Sequence, residues 1–326
     1  MDSLKGSLTS IEAGEAIRKG ILNVDASANV VVKPLADGGE GTTEALVSGM
    51  GGVLCTQRVT GPIGLAVEAT YGILPDQNMA VIEMAQAAGL PSVPKEKRNP
   101  LYTTTYGVGE MIKACIEKGC RKFIVGIGGS ATNDGGIGML KALGYRFLDS
   151  KGQDVGEGGQ VLERVHHIDG TNVLAELKVC EFQVACDVNN PLYGPNGAAF
   201  IYGPQKGATP EIVARLDAGL KHFAKVTSDF LGEDFSQVKG AGAAGGLGFG
   251  FMAFLGGKLE SGIQIILKET QLEEAIKDAD LVITGEGRLD NQTAMGKAPI
   301  GFGAAVSFGH AERRDPDRLS IRPADG

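Results

Sequence analysis

Phe123-Ile124-Val125-Gly126-Ile127-Gly128-Gly129-Ser130-Ala131-Thr132-Asn133-Asp134-Gly135-Gly136 is the stretch that decides the fold. Its apolar run reads as a strand over 122–127, its glycines as a tight exit, and the residues after Gly136 as a helix. Strand, turn and helix in that order are the unit of an α/β protein, where ligands sit in the crevice beyond the carboxyl ends of the strands. Glycines there let backbone N–H groups approach an anion closely, and Ser130, Thr132 and Asn133 add neutral donors. Asp134 has two readings, a cap for the next helix or a metal ligand.

The pattern occurs twice more. Val30-Val31-Val32-Lys33-Pro34-Leu35 opens into Ala36-Asp37-Gly38-Gly39-Glu40-Gly41-Thr42, and Leu281-Val282-Ile283-Thr284 opens into Gly285-Glu286-Gly287-Arg288-Leu289-Asp290-Asn291. Carboxylates in such turns offer hard oxygens to Mg²⁺ or a base to a hydroxyl. Together the three turns point to phosphate chemistry with a divalent ion. A P-loop is excluded, because Gly257-Lys258 is followed by Leu259 and Gly296-Lys297 by Ala298.

The 326 residues are enough for two domains, and 43% hydrophobic content without a long apolar run argues against a membrane span. A net charge of −8 argues against nucleic acid as a partner. The five cysteines lack CxxC spacing and read as reduced core thiols, and the first residues do not resemble a signal peptide, so the cytoplasm is expected. The composition is silent on oligomeric state.

Working outward, Thr9…Glu12 is a capping box opening a helix, with a strand at 29–35 and a helix from Thr42 to Met50 behind it. Val53–Arg58, Ala66–Leu74 and Met79–Met84 are strand-like runs whose connections, Gly61-Pro62-Ile63-Gly64 and Pro75-Asp76-Gln77-Asn78, are too short for helical crossovers. They predict an antiparallel meander. A helix follows at 103–119, capped by Thr103 or Thr104, and a strand at 181–186 ends in Asp187. Glycine-rich loops are expected at 193–207 and 240–250 around a helix at 209–231. An acidic helix at 271–278 feeds a strand at 280–284. The literal GxGxxG at Gly240–Gly245 follows Asp234-Phe235-Ser236-Gln237-Val238-Lys239, a poor buried strand. It therefore reads as close packing or a loop rather than a dinucleotide site.

Taken in order, Asp2–Leu8, Ala36–Thr42, Gly126–Gly138, Ala185–Leu192, Gly203-Pro204-Gln205-Lys206-Gly207-Ala208, Gly240–Gly248 and Gly285–Ile300 resemble the bacterial class I glycerate kinase (glycerate 2-kinase) family. The resemblance implies a flavodoxin-like doubly wound domain interrupted by a restriction-endonuclease-like α/β domain. Residues 1–50 plus 270–300 would form the first, incomplete here, and 51–269 the insertion. It implies ATP-dependent phosphorylation of D-glycerate to 2-phosphoglycerate with Mg²⁺. Lys5, Asp37, Asp187 and Asp290 are then the catalytic candidates. Ser3, Ser7, Gly38, Glu40, Gly128, Gly129, Ser130, Thr132 and Asn133 are candidates to bind substrate and phosphate, joined by Arg288 and Lys297. Glu286 and Asp134 are the metal candidates. Which acid is base and which binds metal stays open.

Two departures from the family pattern stand out. A first apolar strand before Asp2 is absent, and 301–326 reads as an aberrant, disordered tail. The competing reading is an inactive truncated remnant that retains only the inserted domain. A dehydrogenase built on the 240–245 glycines ranks below both.

Overall fold

The computed structural model describes residue 4, residues 7–36 and residues 41–285. Helix α1 (Ser10–Val24) begins at the expected capping box: Thr9 Oγ1 accepts from the Glu12 N–H, and the Glu12 carboxylate accepts from the Thr9 N–H at 2.8 Å. Helix α2 spans Thr42–Met50 as the sequence predicts. The meander is also as expected, β1 (Val53–Thr60), β2 (Ala66–Leu74) and β3 (Met79–Glu83) pairing antiparallel in turn.

From β3 the sheet changes direction. A short helix α3 (Ala85–Ala88) and helix α4 (Tyr106–Glu117) carry the chain to β4 (Lys122–Gly126), parallel to β3. Helix α5 (Ile137–Ala142) follows, then a small hairpin of β5 (Arg146–Leu148) and β6 (His167–Asp169). Strand β7 (Glu181–Ala185) lies parallel to β4. Helices α6 (Ala198–Tyr202), α7 (Pro210–Leu231) and α8 (Ala243–Leu255) lead to β8 (Lys258–Glu260), parallel to β7. Helices α9 (Gly262–Glu269) and α10 (Leu272–Ile276) complete the order. The six-stranded sheet, β1-β2-β3-β4-β7-β8, is therefore a mixed α/β sheet with a mostly parallel centre.

Because alternate strand residues face opposite ways, this sheet separates two cores. Ala80 and Ile82 of β3, Phe123 and Val125 of β4, and Phe182 and Val184 of β7 face the larger one, with α4, α5, α7 and α8. The register partners Phe123 and Phe182 stack there with centroids 4.8 Å apart. Met79, Val81, Ile124 and Ala185 face the smaller core, closed by Leu46 of α2, Ile266 of α9 and Leu272 of α10.

Four expectations fail, two of strands and two of loops. Residues 29–35 and 280–284 belong to no strand. An apolar run becomes a strand only beside a hydrogen-bonding neighbour, and among the described residues neither segment has one. Leu35 is instead fixed by its N–H donating to Ser10 Oγ at 3.0 Å, while Leu281 is 66% exposed. The segment 240–250 is not a loop throughout. A left-handed turn at Ala244, Gly245 and Gly246 enters regular helix, and its glycines mark close packing. A Cβ on Gly240 would lie 2.7 Å from Leu259 Cδ2, and one on Gly246 2.8 Å from Gly135 Cα. The loop at 193–207 likewise contains α6.

Candidate active site

Glu83, Gly126, Ala185 and Glu260 are register partners across β3, β4, β7 and β8 and end those strands. The chain beyond that row forms the sheet's carboxyl edge, where the sequence expects the ligand. Two helices begin there on the smaller-core face. The Glu83 carboxylate accepts from the Thr43 N–H in the first turn of α2 at 2.8 Å, and Asp187 Oδ1 accepts from the Gly262 N–H at the start of α9 at 3.3 Å. Helix N-termini present N–H groups and a positive dipole end to an anion.

The turn after β4 occupies the middle of the edge. Gly128 and Gly129 are exposed, Gly129 with φ +74°, whereas Ser130 through Asp134 are buried. The turn is held from behind on three sides. Leu90 N–H donates to Gly129 C=O and Ala131 N–H to Ala88 C=O; Thr103 Oγ1 donates to Ala131 C=O; and Gly135 N–H donates to Gly245 C=O.

Beneath it lies Asp134, with no solvent exposure. Its Oδ2 accepts from the Thr105 N–H and hydroxyl, each at 2.8 Å, and from Gly138 N–H at 3.3 Å, while Oδ1 accepts from Gly136 N–H at 3.2 Å. Burial pushes this carboxyl up, and those hydrogen bonds pull it back. Thr105 is also the residue preceding α4, so the expected capping threonines 103 and 104 are displaced by one that bonds to Asp134. As arranged here, Asp134 ties the start of α5 to the start of α4; its carboxylate is enclosed by donors rather than facing the crevice.

Lys206 was not among the sequence candidates. It is 2% exposed, and its Nζ donates to Ser130 Oγ at 2.7 Å and to Thr132 C=O at 2.6 Å. Burial pulls the ammonium down to about 7, against the opposing charge of Asp134. Nothing in the string Gly203-Pro204-Gln205-Lys206-Gly207 announces a buried charge; the only signal is a lysine clamped between a proline turn and a glycine. Beside it, Thr132 Oγ1 and both amide atoms of Asn133 are buried without a hydrogen-bond partner among the described residues. Buried polar atoms left in that state are places where water or ligand atoms belong.

Of the expected site residues, the structure places Gly128, Gly129, Ser130, Thr132, Asn133 and Asp134 in and under this turn, and Asp187 on the neighbouring strand exit. Ser7 lies in an exposed turn near the start of the chain, its N–H donating to Leu4 C=O. Ser3, Lys5, Asp37, Gly38, Glu40, Glu286, Arg288, Asp290 and Lys297 lie outside the described residues. Among the described residues no three His, Cys, Asp or Glu side chains group as a protein-only metal site, and no helix is long and apolar enough to cross a membrane.

A mostly parallel α/β sheet with acids and a glycine turn on its carboxyl edge belongs to the α/β class, in which ligand sites lie at that edge. Comparison with known proteins is specific. A profile of the glycerate kinase family matches residues 1–309. The chain is 50% identical over 305 residues to a glycerate kinase of Halalkalibacterium halodurans, covering 94% of this chain and 80% of that one. It is also 50% identical over 300 residues to glycerate 2-kinase of Escherichia coli K12, covering 92% and 79%. A crystal structure of a provisionally assigned glycerate kinase 2 from Salmonella typhimurium LT2 superimposes with TM-score 0.92 at 47% identity, over 95% of this chain and 83% of that one. The chain belongs to the glycerate kinase family.

Proposed function

We propose that this chain transfers the γ-phosphoryl group of ATP to the 2-hydroxyl of D-glycerate, giving 2-phosphoglycerate and ADP. The observation that carries the reading is the shared edge. Glu83 ends β3 and holds the first turn of α2, and the Gly128–Ser130 turn and Asp187 follow directly on the ends of β4 and β7, in a chain half identical to proteins named glycerate kinase. Similarity runs through the first fifty residues as well as the middle, which supports a kinase over a remnant.

Phosphoryl transfer needs positioning and charge neutralisation more than covalent help. The N–H groups and Ser130 hydroxyl of the turn would take oxygens of the phosphate or of the glycerate carboxylate. Asp37, Asp187 and Asp290 are assigned to the base that receives the hydroxyl proton and to metal binding. Lys5, Arg288 and Lys297 are assigned to oxyanion charge, with Ser3, Ser7, Gly38 and Glu40 lining the substrate. Mg²⁺ is usually held by one or two carboxylates plus substrate phosphates, and Asp187 and Glu286 supply oxygens of that kind. When bound, the ion would neutralise charge on the phosphates. In this reading residues 1–50 and 270–300 form the flavodoxin-like part around the 51–269 insertion, and the enzyme works in the cytoplasm.

The test is ADP release by the purified protein with ATP, Mg²⁺ and D-glycerate, with the phosphorylated carbon located by NMR. Asp187→Asn is expected to lower kcat by about 10²-fold or more. Absence of D-glycerate-dependent ADP release from folded protein refutes the activity, and full turnover by an Asp37→Asn/Asp290→Asn double variant refutes the carboxylate assignment.

A further inference from the structure

We infer that Lys206 is a positioning residue of the oxyanion site, acting through the Ser130 hydroxyl; the inference rests on the kinase reading of the carboxyl edge. As an ammonium, Nζ only donates, so in that form Ser130 Oγ is the acceptor in their 2.7 Å bond. The hydroxyl hydrogen must then point away from the lysine. Among the described residues Ser130 Oγ makes no other hydrogen bond, and the neighbouring positions, Gly128 and Gly129, are the exposed part of the turn.

Lys206 thus does two things at once. It orients the Ser130 hydroxyl as a donor beside the open turn, and by holding Thr132 C=O at 2.6 Å it fixes the strand exit on which that hydroxyl rides. A buried ammonium is retained at such a place only with compensation, here from these two acceptors and from the Asp134 charge. A bound oxyanion, either a nucleotide phosphate or the glycerate carboxylate, would complete it. Thr132 Oγ1 and the Asn133 amide, without a hydrogen-bond partner among the described residues, lie on the same short segment.

Titration calorimetry on the full chain separates the two sources, with ADP in one arm and D-glycerate in the other. Lys206→Met keeps the side chain's length and removes its charge; Ser130→Ala removes the hydroxyl and leaves the lysine. Each is expected to raise Kd for one of the two ligands by about ten- to a hundred-fold, with the other Kd nearly unchanged. The double variant is expected to be no weaker than the weaker single one, because both changes break the same link. The ligand that weakens identifies the oxyanion. In turnover, KM for that substrate should rise while kcat stays within about three-fold, a split that loss of fold alone does not produce.

Single-variant Kd values within two-fold of the parent, or losses that multiply in the double variant, overturn the inference. Should Lys206→Met not fold, Ser130→Ala alone decides, since the lysine's effect is routed through that hydroxyl: an unchanged Kd overturns the inference and a ten-fold loss sustains it. A parent protein that binds neither ADP nor D-glycerate overturns the kinase reading and this inference together.

Discussion

Burying Lys206 leaves a pH signature that stability measurements can read. Its ammonium titrates near 10.5 when solvated and at about 7 in the folded chain, because burial disfavours the charged form. Between those values the unfolded chain holds a proton that the folded one has released, so folding stability rises with pH through that window. Below about pH 7 both states are protonated and the full cost of burying the charge is felt. At about 1.4 kcal/mol per pH unit the whole window is worth about 5 kcal/mol, of which about 3 kcal/mol falls between pH 7 and 9. Asp134 works the other way: its raised carboxyl makes stability fall as pH climbs above its unfolded value, and that onset lies in acid. Lys206→Met removes the lysine from the balance while leaving the other groups in place. Urea unfolding of parent and variant at pH 6, 7, 8 and 9 gives the difference directly. Lys206→Met should be the more stable relative to the parent at pH 6, and its advantage should shrink by about 3 kcal/mol by pH 9. A difference that stays flat across that range refutes the reasoning.

Glycine packing gives a sharper contrast. Gly245 and Gly256 share a left-handed backbone, φ +69° and +62°, but a Cβ on Gly245 would overlap the Thr132 carbonyl oxygen whereas one on Gly256 meets open space. Gly256→Ala should cost about 1 kcal/mol, and Gly245→Ala about 3 kcal/mol with a further loss of kcat/KM because the displaced atoms belong to the turn, as thermal melts and turnover together would show. Thr9→Ala breaks the capping box of α1 and should cost about 1 kcal/mol, read as faster hydrogen exchange in the first turn of that helix.

What was legible in the sequence was local. The capping box at Thr9 and Glu12, the bounds of α2 and the three-strand meander follow from cap chemistry and connection length, which are properties of neighbouring residues. The failures involve partners distant in sequence. Residues 29–35 have the composition of a strand, but pairing depends on what lies alongside. The 240–250 stretch reads as a loop because helices disfavour glycine; its glycines are needed where the helix approaches Gly135, Gly136 and Gly240. At the site, the glycine turn and Asp187 were legible because turn residues at strand exits carry their own signature. Lys206 was not, since burial of a charge is settled by the acceptors brought to it from residues 130 and 132. Glu83 was missed for a related reason: its carboxylate meets α2 across forty residues of chain.

The division of the core between the two faces of the sheet has a consequence for how this protein comes apart. The larger face is covered by helices that lie between Ala85 and Leu255, whereas the smaller is sealed by α2 from one part of the sequence and by α9 and α10 from another. The lid on that second face is thus stitched from two remote pieces, each held by its own few apolar side chains. Opening there can proceed while the aromatic stack on the other face stays shut, so deuterium should invade α2, α9 and α10 together, ahead of β4 and β7. A protease working on the breathing molecule would meet the face under α2, α9 and α10 first.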